Sequence, residues 1–208
     1  MRHSRATHKA GFEDPERPLT GRGRRDAAAA GVWLRGQGLV PDLVLCSPAL
    51  RTRQTWDGLS VPLGAARADS VALGGSADLG GRPASADQPA PADQPAPADP
   101  RTWSAPADPV IPDASGARAV EVWYDSRLYM ADDYELREII AETPDDVGTL
   151  LVIGHNPTIE QVAGGLTSEG GLNFPTSAIA VADVGSWARL PPGAGDLRAF
   201  WVPTPEPS

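Results

Sequence analysis

Cysteine, histidine and long apolar runs are all scarce in this chain, and each scarcity closes off a class of chemistry. The one cysteine, Cys46, excludes an internal disulfide and any zinc centre built from several thiolates. In "LVLC" it reads as a small buried hydrophobe. Histidine occurs three times, at positions 3, 8 and 155, so any imidazole chemistry must use those rings. No apolar stretch approaches the ~20 residues of a membrane span, and the N-terminal segment has no apolar signal-peptide core. A soluble cytoplasmic protein without a membrane partner is expected. Lysine occurs once against 17 arginines. With the abundance of Ala, Gly and Pro, this reflects a GC-rich coding bias and carries no functional reading.

What is present is one domain of ordinary size with an appendage. The 208 residues are 41% hydrophobic, enough for a real core. The formal net charge of −9 is unevenly placed: residues 1–53 carry +5 and the remainder −14. A basic front half with an acidic remainder suits a small local anion such as a phosphate. It argues against nucleic acid, which needs a broad positive face.

The pattern of elements alternates. "TGRGRRDAAAAGVWLRGQG" reads as a helix with Thr20 as N-cap and a glycine stop at Gly36 and Gly38. "DLVLCSP" is a short buried strand, and "ALRTRQTWDGL" a helix that puts Arg51 and Arg53 just past the strand's C-terminal end. Strand ends followed by helix starts are where open α/β sheets hold ligands. "AVEVWYDSRLY" is strand-like, and "DDYELREII" is a helix with capping-box spacing at Asp132 and Glu135. In "GTLLVIGHNPTIEQVAGGL", Leu150 to Ile153 form a strand and Gly154 to Pro157 a turn. Thr158 and Gln161 then read as a capping box opening a helix that stops at Gly164 and Gly165. "SAIAVADV" and "DLRAFWV" are two further strands. The alternation predicts an α/β sheet flanked by helices.

Residues 65–117 break this pattern. They contain "ADQPAPADQPAPADP", a six-residue repeat with almost nothing large and apolar to bury. The composition predicts a disordered or PPII-like insertion in a single domain formed by 1–64 and 118–208. Slippage can expand such a surface loop at small entropic cost.

His155 follows a buried strand and precedes a capped helix, so its ring and the helix's free N–H groups share a pocket. Position gives His3 no comparable context, and His8 is assigned to solvent. Arg2, Arg17 and Arg51 could supply planar, always-charged forks that match phosphate oxygens.

"RHSRA", "ERPLTGRGRRDA", "LVLCSPALRTRQTW", "LLVIGHNPTIEQVAGGL" and "FPTSAIAVADV", taken in order, resemble the successive motifs of the histidine phosphatase superfamily, in its small SixA-type phosphohistidine phosphatase branch. The resemblance spans nearly all of the chain outside 65–117. It implies a phosphoglycerate mutase-like, three-layer α/β/α sandwich with a mostly parallel sheet. The implied activity is metal-independent phosphatase chemistry in which His3 attacks phosphorus and becomes a transient phosphohistidine. Arg2, Arg51 and His155 match the remaining phosphate-pocket residues, with His155 donating a hydrogen bond and cationic when phosphate is bound. No cofactor is implied, in keeping with the lack of a clustered carboxylate or Cys/His ligand set. Arg17 falls at the pocket rim. Asp14 matches the position of a general acid, with Glu13 the neighbour from which it must be distinguished. Ser47 and Asn156 are assigned to shaping their turns, and Arg53 to the surface. The implied partner is a small phosphorylated substrate or a phosphohistidine-bearing protein.

In relatives the Arg-His pair follows a buried strand, and this sequence begins where that strand would finish. The first strand is therefore expected to be truncated by a start assigned too late, leaving a slot in the sheet and His3 on a free end. Two alternatives accompany the leading reading: a phosphomutase or sugar-phosphate phosphatase on the same fold, and an inactive adaptor that recruits a partner through its Pro-rich insertion.

Overall fold

A four-residue strand, β1 (Leu43–Cys46), is buried along its whole length and sits at the centre of the molecule. The computed structural model describes residues 1–67, 71–73, 118–167 and 172–205. β1 pairs in parallel with β4 (Arg118–Asp125) on one side and β5 (Leu150–Ile153) on the other, with Cys46 level with Tyr124 and Ile153. A strand enclosed on both edges and both faces has no use for polar residues, which explains the unbroken run LVLC. Beyond β4 lie two short parallel strands, β2 (Ala65–Arg67) and β3 (Val71–Leu73). An antiparallel hairpin, β6 (Ile179–Val184) and β7 (Gly195–Trp201), completes the strands.

Helices cover the sheet on both faces. α1 (Gly21–Gly36) and α2 (Leu50–Leu63) lie on the face formed by Val44, Cys46, Val120 and Val122, with Ala30, Leu34, Trp56 and Leu59 in that core. α3 (Asp133–Ala141) and α4 (Thr158–Thr167) cover Leu43, Leu45 and Trp123 with Leu136, Ile139, Ile159 and Val162. This is the expected three-layer α/β/α sandwich with a mostly parallel sheet. α1 and α2 approach so closely that a Cβ on Gly31 would stand 2.2 Å from the Leu59 carbonyl oxygen.

Local signals were followed at most boundaries. Thr20 Oγ1 accepts from the Gly23 amide at 3.0 Å, capping α1, and Asp132 and Glu135 form the capping box of α3. Other boundaries differ. The Gln161 amide bonds to the Pro157 carbonyl, and the Thr158 hydroxyl donates to the Ala131 carbonyl at 2.5 Å, so α4 opens without the expected capping box. α4 also runs through Gly164 and Gly165 to Thr167. Gly165 serves packing: a Cβ there would meet the Arg137 guanidinium at 2.5 Å. β2 and β3 lie inside the stretch assigned by composition to the insertion, so ordered sheet extends past residue 64. The rest of that insertion, and with it the expected division of the chain, lies outside the described residues.

Residues 1–3 join the two sheets. On one side Met1 N donates to the Val152 carbonyl at 2.8 Å, Gly154 N to Met1 O at 3.1 Å and His3 N to Gly154 O at 3.0 Å. On the other, Arg2 N donates to Ala178 O at 3.0 Å and Ser177 N to His3 O at 3.1 Å. His3 is therefore not on a free end: its backbone is fixed from both sides. Behind Met1 a cavity of about 340 Å³ opens between β5 and β6, walled by Leu34, Leu151, Ile159, Ile179 and Val181. Among the described residues, no helix is long and apolar enough to cross a membrane.

Candidate active site

The parallel strands end on one side of the sheet, and the polar residues converge there. His155 follows β5 after Gly154, Arg51 opens α2 just after β1, and Arg2 and His3 arrive on the rung beside β5. The His3 and His155 ring centroids are 5.2 Å apart, with an interplanar angle of 55°. Residues 152 positions apart in sequence are thus side by side.

The protonation of each ring follows from its neighbours. His3 Nδ1 lies 2.8 Å from the Ser4 carbonyl, which can only accept, so Nδ1 carries the proton and Nε2 keeps its lone pair. Ser4 is itself locked: its amide donates to Thr55 Oγ1 at 2.9 Å, and the Ser177 hydroxyl bonds to Ser4 Oγ at 2.7 Å. On His155, Nδ1 faces Arg51 Nη2 at 3.3 Å, and a guanidinium can only donate. Nε2 therefore bears the hydrogen and meets Ser47 Oγ at 2.8 Å. Burial, reinforced by the nearby arginines, pushes His3 down to about 4 and His155 to about 3. Both rings are neutral near pH 7. The cation expected of His155 in the presence of phosphate is therefore not its resting form.

The arginines are held by few groups. Arg2 Nη1 donates to the Phe174 carbonyl at 2.7 Å, and Glu160 is its nearest countercharge. Arg51 is 5% exposed. The Nε–H groups of Arg2, Arg17 and Arg51 are all buried without an acceptor. Three guanidinium groups, each with an unpaired Nε–H, gather positive charge beside two imidazoles, an arrangement that could hold an anion. A second opening of about 230 Å³ adjoins His3, lined by Arg2, Arg5, His8 and Arg17.

Asp14 reaches this pocket as a carboxylate. Its Oδ1 pairs with Arg17 Nη2 at 2.6 Å and its Oδ2 with Arg51 Nη2 at 3.0 Å, and the Tyr129 hydroxyl donates to Oδ2. The Tyr129 hydrogen bond, with the two arginines behind it, holds its pKa down at about 2. That environment opposes the expected role of general acid, because the proton to be donated is absent. Glu13 is exposed and supplies its carbonyl to the Asp14–Glu16 turn, which separates the two candidates. Arg17 also donates to the Thr7 carbonyl at 3.2 Å and to His8 Nδ1 at 3.1 Å. Asn156 bonds to Glu160 and the Phe174 carbonyl, shaping its turn. Arg53 is exposed and stacks over Tyr124.

Two pocket residues were not legible beforehand. Ser47 was assigned to its turn, yet it is fully buried and holds His155. Tyr129 lies on the 3-10 turn Ser126–Tyr129 after β4, and it meets Asp14, Arg51 and His155. Both follow the C-terminal ends of parallel strands, the one signal that could have marked them.

The sequence profile of the histidine phosphatase superfamily (branch 1) matches residues 1–71, which include Arg2, His3, Asp14, Arg17 and Arg51. The chain belongs to the histidine phosphatase superfamily. An uncharacterized protein of Mycobacterium tuberculosis is 32% identical over 214 residues, covering 98% of this chain and 99% of that protein. One from Mycobacterium leprae is 30% identical over 219 residues with the same coverage. Among solved structures, a protein of Nakamurella multipartitia assigned as the phosphohistidine phosphatase SixA superposes with a TM-score of 0.63 at 25% identity, over 99% of this chain and 94% of that one. A protein of Agrobacterium tumefaciens with the same assignment gives 0.62 at 20% identity, over 98% and 95%. At that identity the likeness speaks for the fold alone. As a histidine phosphatase superfamily member the chain shows, among its described residues, no group of three His, Cys, Asp or Glu side chains arranged for a metal.

Proposed function

We propose that this protein is a cytoplasmic, metal-independent phosphatase that forms a transient phosphohistidine on His3, acting on phosphohistidine or a related phosphorylated substrate. The observation that carries this reading is the Nε2 lone pair of His3, held by the Ser4 carbonyl, with the His155 ring at 5.2 Å. Nε2 attacks phosphorus while the bond to the leaving group breaks, and the leaving group takes the electron pair and a proton from solvent. Water then attacks the phosphohistidine, releasing inorganic phosphate and restoring the imidazole. The transferred phosphoryl has a loose, highly charged transition state, so catalysis is mainly positioning and cationic stabilisation. Arg2 and Arg51 supply the cations. His155 joins them by taking a proton when the phosphoryl's charge offsets its neighbours.

The state of Asp14 bears on the substrate. An alkoxide needs a proton from an acid as it leaves, and a carboxyl held at about 2 is ionised at neutral pH. An imidazole nitrogen leaves more readily, so a P–N substrate, free or on a partner protein, suits this pocket better than a P–O ester. The test is phosphate release from phosphohistidine, with quenching in alkaline detergent to trap the enzyme intermediate. His3→Ala is expected to lose on the order of 1,000-fold in kcat and all acid-labile label. Turnover retained in His3→Ala would refute the assigned nucleophile.

A further inference from the structure

Arg51 has given its grip to the protein itself. Its Nη1 donates to the Asp14 backbone carbonyl at 2.6 Å and its Nη2 to the Asp14 carboxylate at 3.0 Å, with His155 Nδ1 at 3.3 Å from Nη2, and Nε is buried without an acceptor. The second Asp14 oxygen takes Arg17 Nη2 at 2.6 Å. The carboxylate thus draws on the donors that a phosphate would need, and its charge is felt at His155.

We infer that Asp14 is the resident anion of the phosphate pocket, that substrate binds by displacing it from Arg51, and that Tyr129 is the positioning residue setting the strength of this hold. This rests on the phosphate-pocket reading above but assigns Asp14 a role that reading does not require. Two observations support exchange over permanent residence. First, Asp14 sits on a turn of three residues with its side chain 53% exposed, whereas Arg51 is anchored and buried. The acid can withdraw into water while the cation stays. Second, a dianionic phosphoryl beside the imidazoles would stand against the Asp14 carboxylate, a like-charge contact that opposes co-occupancy.

Tyr129 comes from the opposite wall. Its hydroxyl donates to Asp14 Oδ2, its ring lies under the Arg51 guanidinium at 5.6 Å, and its edge meets the His155 ring at 5.4 Å. One side chain therefore links the carboxylate that must leave to the two groups that receive the phosphoryl. Removing its hydroxyl loosens Asp14 and leaves the ring contacts in place.

The experiment is calorimetric titration of the full chain with inorganic phosphate near neutral pH. Asp14→Asn is expected to bind phosphate about tenfold more tightly and Tyr129→Phe about threefold more tightly, even though Asp14→Asn lowers the thermal midpoint by removing two ion pairs. Tyr129→Phe leaves every charge in place, so a merely structural role for Tyr129 would leave binding unchanged or weaken it. Unchanged or weaker binding in Asp14→Asn overturns the inference, and unchanged or weaker binding in Tyr129→Phe removes Tyr129 from it. Arg51→Ala separates the two readings: it should abolish binding if the phosphate pocket is correctly placed, whatever Asp14 does. Binding retained in Arg51→Ala would count against the pocket itself.

Discussion

Ser47 and His155 stand at the ends of neighbouring parallel strands, and the Ser47 hydroxyl lies 2.8 Å from His155 Nε2. The register of β1 against β5 produces this: Cys46 is level with Ile153, and the Ser47 amide bonds to the Ile153 carbonyl at 3.1 Å. Ser47→Ala leaves the ring without its orienting partner. The expected result is a kcat lower by about 10- to 100-fold, the scale of a misplaced reacting group, with little change in phosphate affinity. Steady-state kinetics on phosphohistidine check it.

Gly31 sets the distance between α1 and α2. A methyl group at that position would stand 2.2 Å from the Leu59 carbonyl oxygen and 2.8 Å from the Pro62 ring, and backbone cannot yield as a side-chain tip can. Gly31→Ala is expected to cost about 3 kcal/mol, at the upper end of overpacking. Gly36→Ala, at a helix end with nothing within 4 Å, is expected to be neutral or stabilising by up to about 1 kcal/mol. Denaturant melts of the two variants give opposite shifts.

Stability should rise with pH through the acid range. The folded-state values of His3 and His155, about 4 and about 3, lie below the ordinary 6.5. The unfolded chain therefore binds more protons across that window, and stability increases from about pH 3 to about pH 6.5. Asp14, held at about 2 against 3.8, adds slope of the same sign at the acid end. In His3→Gln/His155→Gln the slope between about pH 4 and pH 6.5 should flatten, as read from urea midpoints.

Ser4 and Ser177 form a buried hydroxyl pair, both 0% exposed and 2.7 Å apart, next to His3. Ser4→Ala strands the Ser177 hydroxyl and should cost about 1–3 kcal/mol. The double variant Ser4→Ala/Ser177→Ala should cost less than the two single losses combined, because neither group is then left unpaired. A double-mutant cycle decides it.

The parts of the fold set by local chemistry could be read from the residues. Thr20 and Asp132 cap as their types require, LVLC is buried as an apolar run must be, and Arg51 lies past its strand as the boundary implies. The errors share a different cause. Gly164 and Gly165 look like a stop, but they lie within α4, where Gly165 admits the Arg137 guanidinium, a contact from a distant part of the chain. Thr158 looks like a cap, but its hydroxyl finds the Ala131 carbonyl, brought near by α3. Within the site, the resemblance supplied His3, His155, Arg2 and Arg51, whose positions lie in motifs. It could not supply Tyr129, which is reached only through the packing of the β4 end against the Asp14 turn. Nor could it supply the charge state of Asp14, which depends on three donors from separate elements.

His3 rides on the joint between two sheets, tied to Gly154 by one bond and to Ser177 by another. A shear of the β6–β7 hairpin against the parallel strands would therefore change the spacing of the two imidazoles before any helix unwinds. If His3 acts as proposed, activity depends on that joint, and the expected result in a thermal scan is loss of turnover below the global melting midpoint.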